Sequence, residues 1–151
     1  MDLPNIYKSI FNEIERARHV MLVAHQKPDG DTSGSTLAMA HYLDSINKTY
    51  TAFCIDEIAP HLRYLPKAHE VTQNPSHWTE PQFDLVMVFD ASDLKYAGIE
   101  DYIGALTHEC TIINVDHHAT NKLYGAINLV RTDASSTCEV VHDLLDSVRA
   151  L

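Results

Sequence analysis

Three short segments of this sequence carry the side chains that could do chemistry, and all three bring carboxylates or imidazoles together. The first reads His25-Gln-Lys-Pro-Asp29-Gly-Asp31-Thr-Ser-Gly34-Ser35. Imidazole and carboxylate together suit Mn²⁺, Zn²⁺ or Fe²⁺. Asp29 and Asp31 stand two residues apart, so an extended loop could aim them at different neighbouring ions, with Gly30 permitting a sharp turn. The second segment is Asp90, at the end of an apolar run. The third is Asp116-His117-His118, where an acidic residue stands ready to orient an imidazole, as in many metal sites. Each segment alone has a plain structural reading. Asp-Gly pairs form turns, strand-end Asp residues cap helices, and a His pair can sit in a polar loop. The other histidines (His19, His41, His61, His69, His77, His108, His142) lack such context and read as surface or helix-face residues.

The elements that must position these groups follow from the apolar pattern. Val20–Ala24 ends at His25, Phe83–Phe89 at Asp90 and Thr111–Val115 at Asp116. Tyr50–Ile55 and Ala126–Val130 supply two more strand candidates. Runs apolar on both faces, alternating with helices, predict an α/β fold. The expected form is a three-layer, Rossmann-like domain, with a mostly parallel sheet of about five strands covered by helices on both faces. Such sheets bind ligands outside the carboxyl ends of their strands, and that is where His25, Asp90 and Asp116 fall. A first helix is predicted over Met1–His19, with Ile6, Ile10, Ile14 and Ala17 on one face, Asp2 as cap and Pro4 in the first turn. A second opens at Ser33 and runs through Leu37, Ala40, Leu43 and Ile46. Gly34 and Ser35 lie at its start, where a helix favours anions such as phosphate. A last helix, capped by Ser135 or Ser136, carries Val140, Val141, Leu144, Leu145 and Val148. Pro60, Pro66 and Pro75 break Ala59–Pro81 into loop, one short helix around His61–Tyr64 and a brief edge strand.

The 151 residues suit one domain, and 45% hydrophobic content can build a core without disulfides. Cys54, Cys110 and Cys138 are odd in number and form no C-x-x-C pair, so they read as small buried hydrophobes in a reducing compartment. A net charge of −10 argues against a tight, non-specific grip on nucleic acid. It leaves a phosphate substrate open, because carboxylate-bound cations reverse the local sign. No apolar run approaches the ~18 residues of a membrane span, and no basic-then-apolar leader opens the sequence. The expected location is the cytoplasm. The first strand is not followed by G-x-G-x-x-G, so a dinucleotide-binding reading carries little weight.

H-x-x-P-D-G-D-x-x-G-S at His25–Ser35, the strand-end Asp90 and the D-H-H triplet at Asp116–His118 together resemble the DHH phosphoesterase superfamily. A-S-S-T at Ala134–Thr137, leading into an apolar helix, is similar to its NrnA-type branch of oligoribonucleases and nucleoside bisphosphate phosphatases. The resemblance covers nearly the whole sequence. It implies a metal-dependent, exonuclease-like hydrolase acting on short oligonucleotides or nucleoside 3′,5′-bisphosphates, by in-line attack of water at a pair of metals. The implied metals are two Mn²⁺, with Mg²⁺ or another divalent ion as substitute. By this resemblance His25 and Asp29 bind the first ion, Asp31 and His117 the second, and Asp90 bridges them. Asp116 orients His117. His118 contacts the scissile phosphate and helps protonate the leaving group, and Ser35 binds substrate.

The superfamily also has a further metal-binding aspartate after the final helix and a second, substrate-binding domain. Residues 1–151 therefore read as a DHH domain lacking both. Asp133, Asp143, a homodimeric partner or the missing C-terminal domain would complete the second ion's shell. A pyrophosphatase activity is a weaker option within the superfamily. The alternative of another class is a non-catalytic metal- or nucleotide-binding module.

Overall fold

The computed structural model describes residues 2–79 and 83–148. Met1 and Pro81, which bound two of the predicted segments, lie outside the described residues. Five strands form one sheet: β1 (Val20–Ala24), β2 (Tyr50–Phe53), β3 (Leu85–Phe89), β4 (Thr111–Asp116) and β5 (Ile127–Val130). Their order is β2-β1-β3-β4-β5, and every neighbouring pair is parallel. Every residue of β1 and β3 is buried, the outcome expected of strands that are apolar on both faces.

The register decides where the polar residues emerge. Ala24 pairs with Phe89, and Phe89 with Val115. His25, Asp90 and Asp116 therefore stand one step further along three adjacent strands. The sheet grows outward from β1 to β2 and then resumes on the other side of β1 with β3. The crevice of such a fold lies at that reversal, beyond the ends of β1 and β3.

Four helices accompany the sheet: α1 (Leu3–Arg16), α2 (Gly30–Ser45), α3 (Glu100–Gly104) and α4 (Thr137–Ser147). One face is covered by α1, α2 and α4. Ile10, Ile14, Met39, Leu43, Val140 and Leu144 pack there against Leu22, Met87, Phe89, Val115 and Leu129. The other face is covered differently, by the short α3 and an aromatic group of Phe53, Trp78, Phe83 and Tyr102. Trp78 and Tyr102 stack with ring centroids 5.3 Å apart.

Several boundaries differ from expectation for local reasons. Asp2 caps α1 as expected, accepting the Asn5 N–H. The helix stops at Arg16 instead of His19, because the Asp84 carboxylate takes the N–H groups of Arg18 and His19. Asp29 caps α2, so that helix starts three residues before Ser33. β2 ends at Phe53, and the edge strand is reduced to a single parallel bridge between Phe53 and Thr72. The proline-broken stretch forms three 3-10 turns (Pro60–Leu62, Ala68–Glu70, Pro75–Trp78) in place of one short helix. Proline opens the first and third, since it suits a first turn and cannot donate to prolong it. Ser136 caps α4 by accepting the Glu139 N–H. Nothing in the sequence reading assigned α3.

Asp84 joins the start of β1 to the start of β3. Its carboxylate holds two N–H groups and the Arg18 guanidinium, and its own N–H donates to the His19 carbonyl. Burial alone would raise its pKa, but the guanidinium and the N–H donors outweigh burial and hold it below the ordinary value. A depressed carboxylate stabilises the fold above the unfolded-state pKa, and that contribution fades as pH falls through the folded value. Asp84→Asn is expected to cost about 1–3 kcal/mol near neutral pH in urea denaturation. The gap to wild type should narrow below about pH 4. Equal midpoints at neutral pH would show that the clamp contributes nothing.

Candidate metal centre

His25 leaves β1 with its side chain nearly enclosed, at 3% exposure. Its N–H donates to Thr32 Oγ1 (3.1 Å), and the Thr32 hydroxyl donates to the Phe89 carbonyl (3.1 Å). One threonine in α2 thus ties the ends of β1 and β3 together. His25 Nδ1 lies 2.6 Å from the Gln26 carbonyl. A carbonyl only accepts, so Nδ1 carries a proton. Nε2 is left facing Asp90 Oδ2 at 3.5 Å and Asp29 Oδ1 at 3.9 Å. His117 repeats the arrangement: Nδ1 donates to the Ala134 carbonyl (3.3 Å), and Nε2 faces Asp31 Oδ2 (3.7 Å) and Asp90 Oδ1 (3.8 Å). These Nε2–carboxylate separations are long for hydrogen bonds. They are close to the roughly 3–3.5 Å between two donors that share an ion at bonds of about 2.0–2.2 Å.

Two sets of three ligand atoms lie within 4.8 Å of one another: His25, Asp29 and Asp90; and Asp90, His117 and His118. Asp90 belongs to both. It adopts a left-handed backbone (φ 59°), which Asp tolerates better than most residues. It caps no helix, because α3 begins ten residues later at an Ile99 N-cap with no side-chain bond. Thr137 Oγ1 donates to its Oδ1 at 2.8 Å. Burial pushes the Asp90 pKa up, but His25, the Thr137 hydroxyl and the His118 charge bring it below the ordinary value. Burial pushes His25 down, but Asp90, the Gln26 carbonyl and Asp29 together raise it. The field at this spot therefore favours positive charge, and the imidazole–carboxylate donor set fits a divalent ion.

Asp29 and Asp31 do not sit on an extended loop. Asp29 Oδ1 caps α2, accepting from the N–H groups of Asp31 (2.9 Å) and Thr32 (3.1 Å). Gly30 is simply the first residue of that helix, and Gly98 alone among the described glycines has a positive φ. Asp31 reaches across to α4, accepting from the N–H groups of Thr137 and Cys138, both at 2.8 Å. The chain's own carboxylates thus occupy both helix starts. The expected substrate contact through Ser35 is corrected for the same region. Ser35 is fully buried in α2, and its hydroxyl donates back to the carbonyls of Asp31 (2.7 Å) and Thr32 (3.2 Å). Gly34 serves helix packing instead, since a Cβ there would lie 2.8 Å from Cys138 Sγ.

Asp116 is also corrected. Its Oδ1 accepts from the N–H groups of His117 (2.7 Å) and His118 (3.2 Å) and from His118 Nδ1 (2.8 Å). It therefore orients His118, while the Ala134 carbonyl holds the His117 ring. The Asp116 bond raises the His118 pKa against the opposing effect of burial. His118 is half exposed and lines a cleft of about 280 Å³ with His25, Asp29, Asp90, Ser92, Tyr96 and Thr120. The Tyr96 ring packs against His25 with centroids 4.9 Å apart. Asp133 and Asp143 both pair with Arg131, so neither joins the cluster. The cysteines are neutral thiols: burial pushes Cys54 up to about 11, and Cys110 and Cys138 up to about 12. Thr32, Thr137 and Tyr96 were missed as site residues. Thr32 directly follows P-D-G-D and Thr137 closes A-S-S-T, which was a signal; Tyr96 had none.

A parallel sheet that brings two inward-facing imidazoles and a shared carboxylate to one rim defines a Rossmann-like domain that could hold divalent metal. The chain belongs to the DHH family, whose N-terminal domain matches residues 19–150. It is 30% identical over 127 residues to the bifunctional oligoribonuclease and PAP phosphatase NrnA of Thermus thermophilus, covering 84% of this chain and 36% of that protein. It is 25% identical over 125 residues to the Bacillus subtilis protein of the same name, covering 83% and 37%. The chain thus spans little more than a third of the length of these relatives. The fold matches the crystal structure of an exopolyphosphatase-related protein from Bacteroides fragilis with a TM-score of 0.86 and 24% identity, over 95% of this chain and 44% of that one.

Because Asp31 satisfies two N–H groups at the start of α4, it has a structural role independent of any ion. Asp31→Ala is expected to lower metal-free stability by about 1–2 kcal/mol in chemical denaturation. Unchanged stability would mean that water replaces the carboxylate at no cost.

Proposed function

We propose that this chain is the metal-binding domain of a DHH phosphoesterase that hydrolyses short oligonucleotides or nucleoside 3′,5′-bisphosphates. The observation that carries this reading is the shared Asp90. Each of its oxygens faces an imidazole whose Nδ1–H is anchored on a main-chain carbonyl. His25, Asp29 and Asp90 would hold one Mn²⁺, and Asp31, Asp90 and His117 a second, with Mg²⁺ or another divalent ion as alternative occupants. Bound there, the ions would supply positive charge to the phosphate and an activated water. His118, backed by Asp116, contacts the scissile phosphate and gives a proton from Nε2 to the leaving oxygen. Tyr96 shields His25 from bulk water.

The names of the relatives support the substrate class, and the net charge of −10 leaves the grip on phosphate to cations in the cleft. Among the described residues no helix is long and apolar enough to cross a membrane. Three free cysteines fit a reducing cytoplasm. The engagement of Asp133 and Asp143 by Arg131 favours a second reading. In it, these residues hold one ion and act as a binding module, unless a homodimeric partner or a C-terminal domain adds the last ligand.

Calorimetric titration with Mn²⁺ separates the readings, alongside hydrolysis assays on a short oligonucleotide, a nucleoside 3′,5′-bisphosphate and pyrophosphate. Two ions per chain are expected, with affinity falling more than about 100-fold in Asp90→Ala, beyond the usual effect of losing an outer-shell partner. One ion per chain would support the binding module. No binding would overturn both.

A further inference from the structure

The Asp116–His118 pair is itself held by side chains that the proposed reaction does not use. Asp116 is fully buried. Its Oδ1 takes the donors of His117 and His118, whereas its Oδ2 takes Asn121 Nδ2 at 2.6 Å. The orientation of the Asn121 amide is forced. The Leu123 N–H can only donate, and it meets Oδ1 at 2.8 Å; the carboxylate can only accept, and it meets Nδ2. Asn114 Nδ2 also donates to Asn121 Oδ1 (2.8 Å) and to Asn128 Oδ1 (2.9 Å). Gly125 clamps Asn128 through its N–H and its carbonyl. A line of amides thus runs from Asn128 in β5 through Asn114 in β4 to Asn121, and ends on the carboxylate behind His118. Asn121 Nδ2 also lies 3.1 Å from the carbonyl of Ala91, the residue after Asp90.

We propose that Asn121 is a positioning residue for His118: by holding Asp116 Oδ2 it fixes the carboxylate so that Oδ1 receives the Nδ1 proton, leaving Nε2 for the cleft. The main-chain donors at His117 and His118 leave Oδ2 unheld. Without Asn121 that oxygen loses its partner, and only the contacts to Oδ1 remain to set the angle of the carboxylate about its Cβ–Cγ bond. An imidazole without such a partner prefers its proton on Nε2, which leaves the Nδ1 lone pair against the Asp116 carboxylate and gives Nε2 no lone pair with which to take up the proton that it passes to the leaving oxygen. The functional meaning of this arrangement rests on the role proposed above for His118. The arrangement itself does not depend on a bound ion.

The test is long-range ¹H–¹⁵N correlation spectroscopy of the metal-free protein at mildly alkaline pH. Wild type should show His118 mainly as the Nδ1–H tautomer. Asn121→Leu, similar in size but without a donor, should lose that majority at His118. His25, whose Nδ1 is held by the Gln26 carbonyl, should keep its tautomer and serves as the internal control. An unchanged His118 in the folded variant overturns the proposal. So does an equal loss at both histidines, which would mean that Asn121 merely stiffens the rim. If the variant fails to fold, the wild type still decides. Asn121 Nδ2 protons that are shifted downfield and exchange slowly support the proposal; ordinary, fast-exchanging ones overturn it. A wild type that binds no Mn²⁺ would remove the metal reading and leave the tautomer result standing, so the two failures are distinguishable.

Discussion

A carboxylate with only 3% of its residue surface exposed is costly to keep ionised unless several groups compensate it. At Asp90 the compensation comes from separate parts of the fold: His25 after β1, His117 and His118 after β4, and the Thr137 hydroxyl at the start of α4. The surrounding architecture can be understood as what is needed to bring them there. Parallel register aligns the ends of β1, β3 and β4. The left-handed turn at Asp90 accommodates its carboxylate, and Asp31 docks α4 so that Thr137 arrives in place.

The compensation is deliberately incomplete in charge. Among the described residues no lysine or arginine forms an ion pair with Asp29, Asp31, Asp90 or Asp116; their ion pairs are with carboxylates elsewhere. Helix starts and main-chain N–H groups neutralise Asp29, Asp31 and Asp116 only as partial charges. Four carboxylates and three imidazoles therefore share one rim with no fixed cation among them. That imbalance is the electrostatic reason the cleft favours positive charge.

The strands were legible because burial on both faces leaves little room for polar residues, so β1 and β3 stand out as apolar runs. The caps at Asp2 and Ser136 were legible because capping is a bond over three residues. The proline-rich stretch and α3 were not. Their elements are only three to five residues long, and the conformation of each depends on what it packs against, such as Trp78 and Tyr102 on the second face of the sheet.

The sequence by itself determined the parallel α/β architecture and the rim on which His25, Asp90, Asp116, His117 and His118 gather. Residue type and periodicity carry that information directly. Only the tertiary structure decided which acceptor each donor meets. It assigned Asp116 to His118 instead of His117, turned Ser35 inward, spent Asp31 on α4 more than a hundred residues away, and set Asn121 behind Asp116. Hydrogen bonds of this kind are chosen by short-range geometry between segments distant in the chain. No local pattern of residues encodes the final few tenths of an ångström that select one partner over its neighbour.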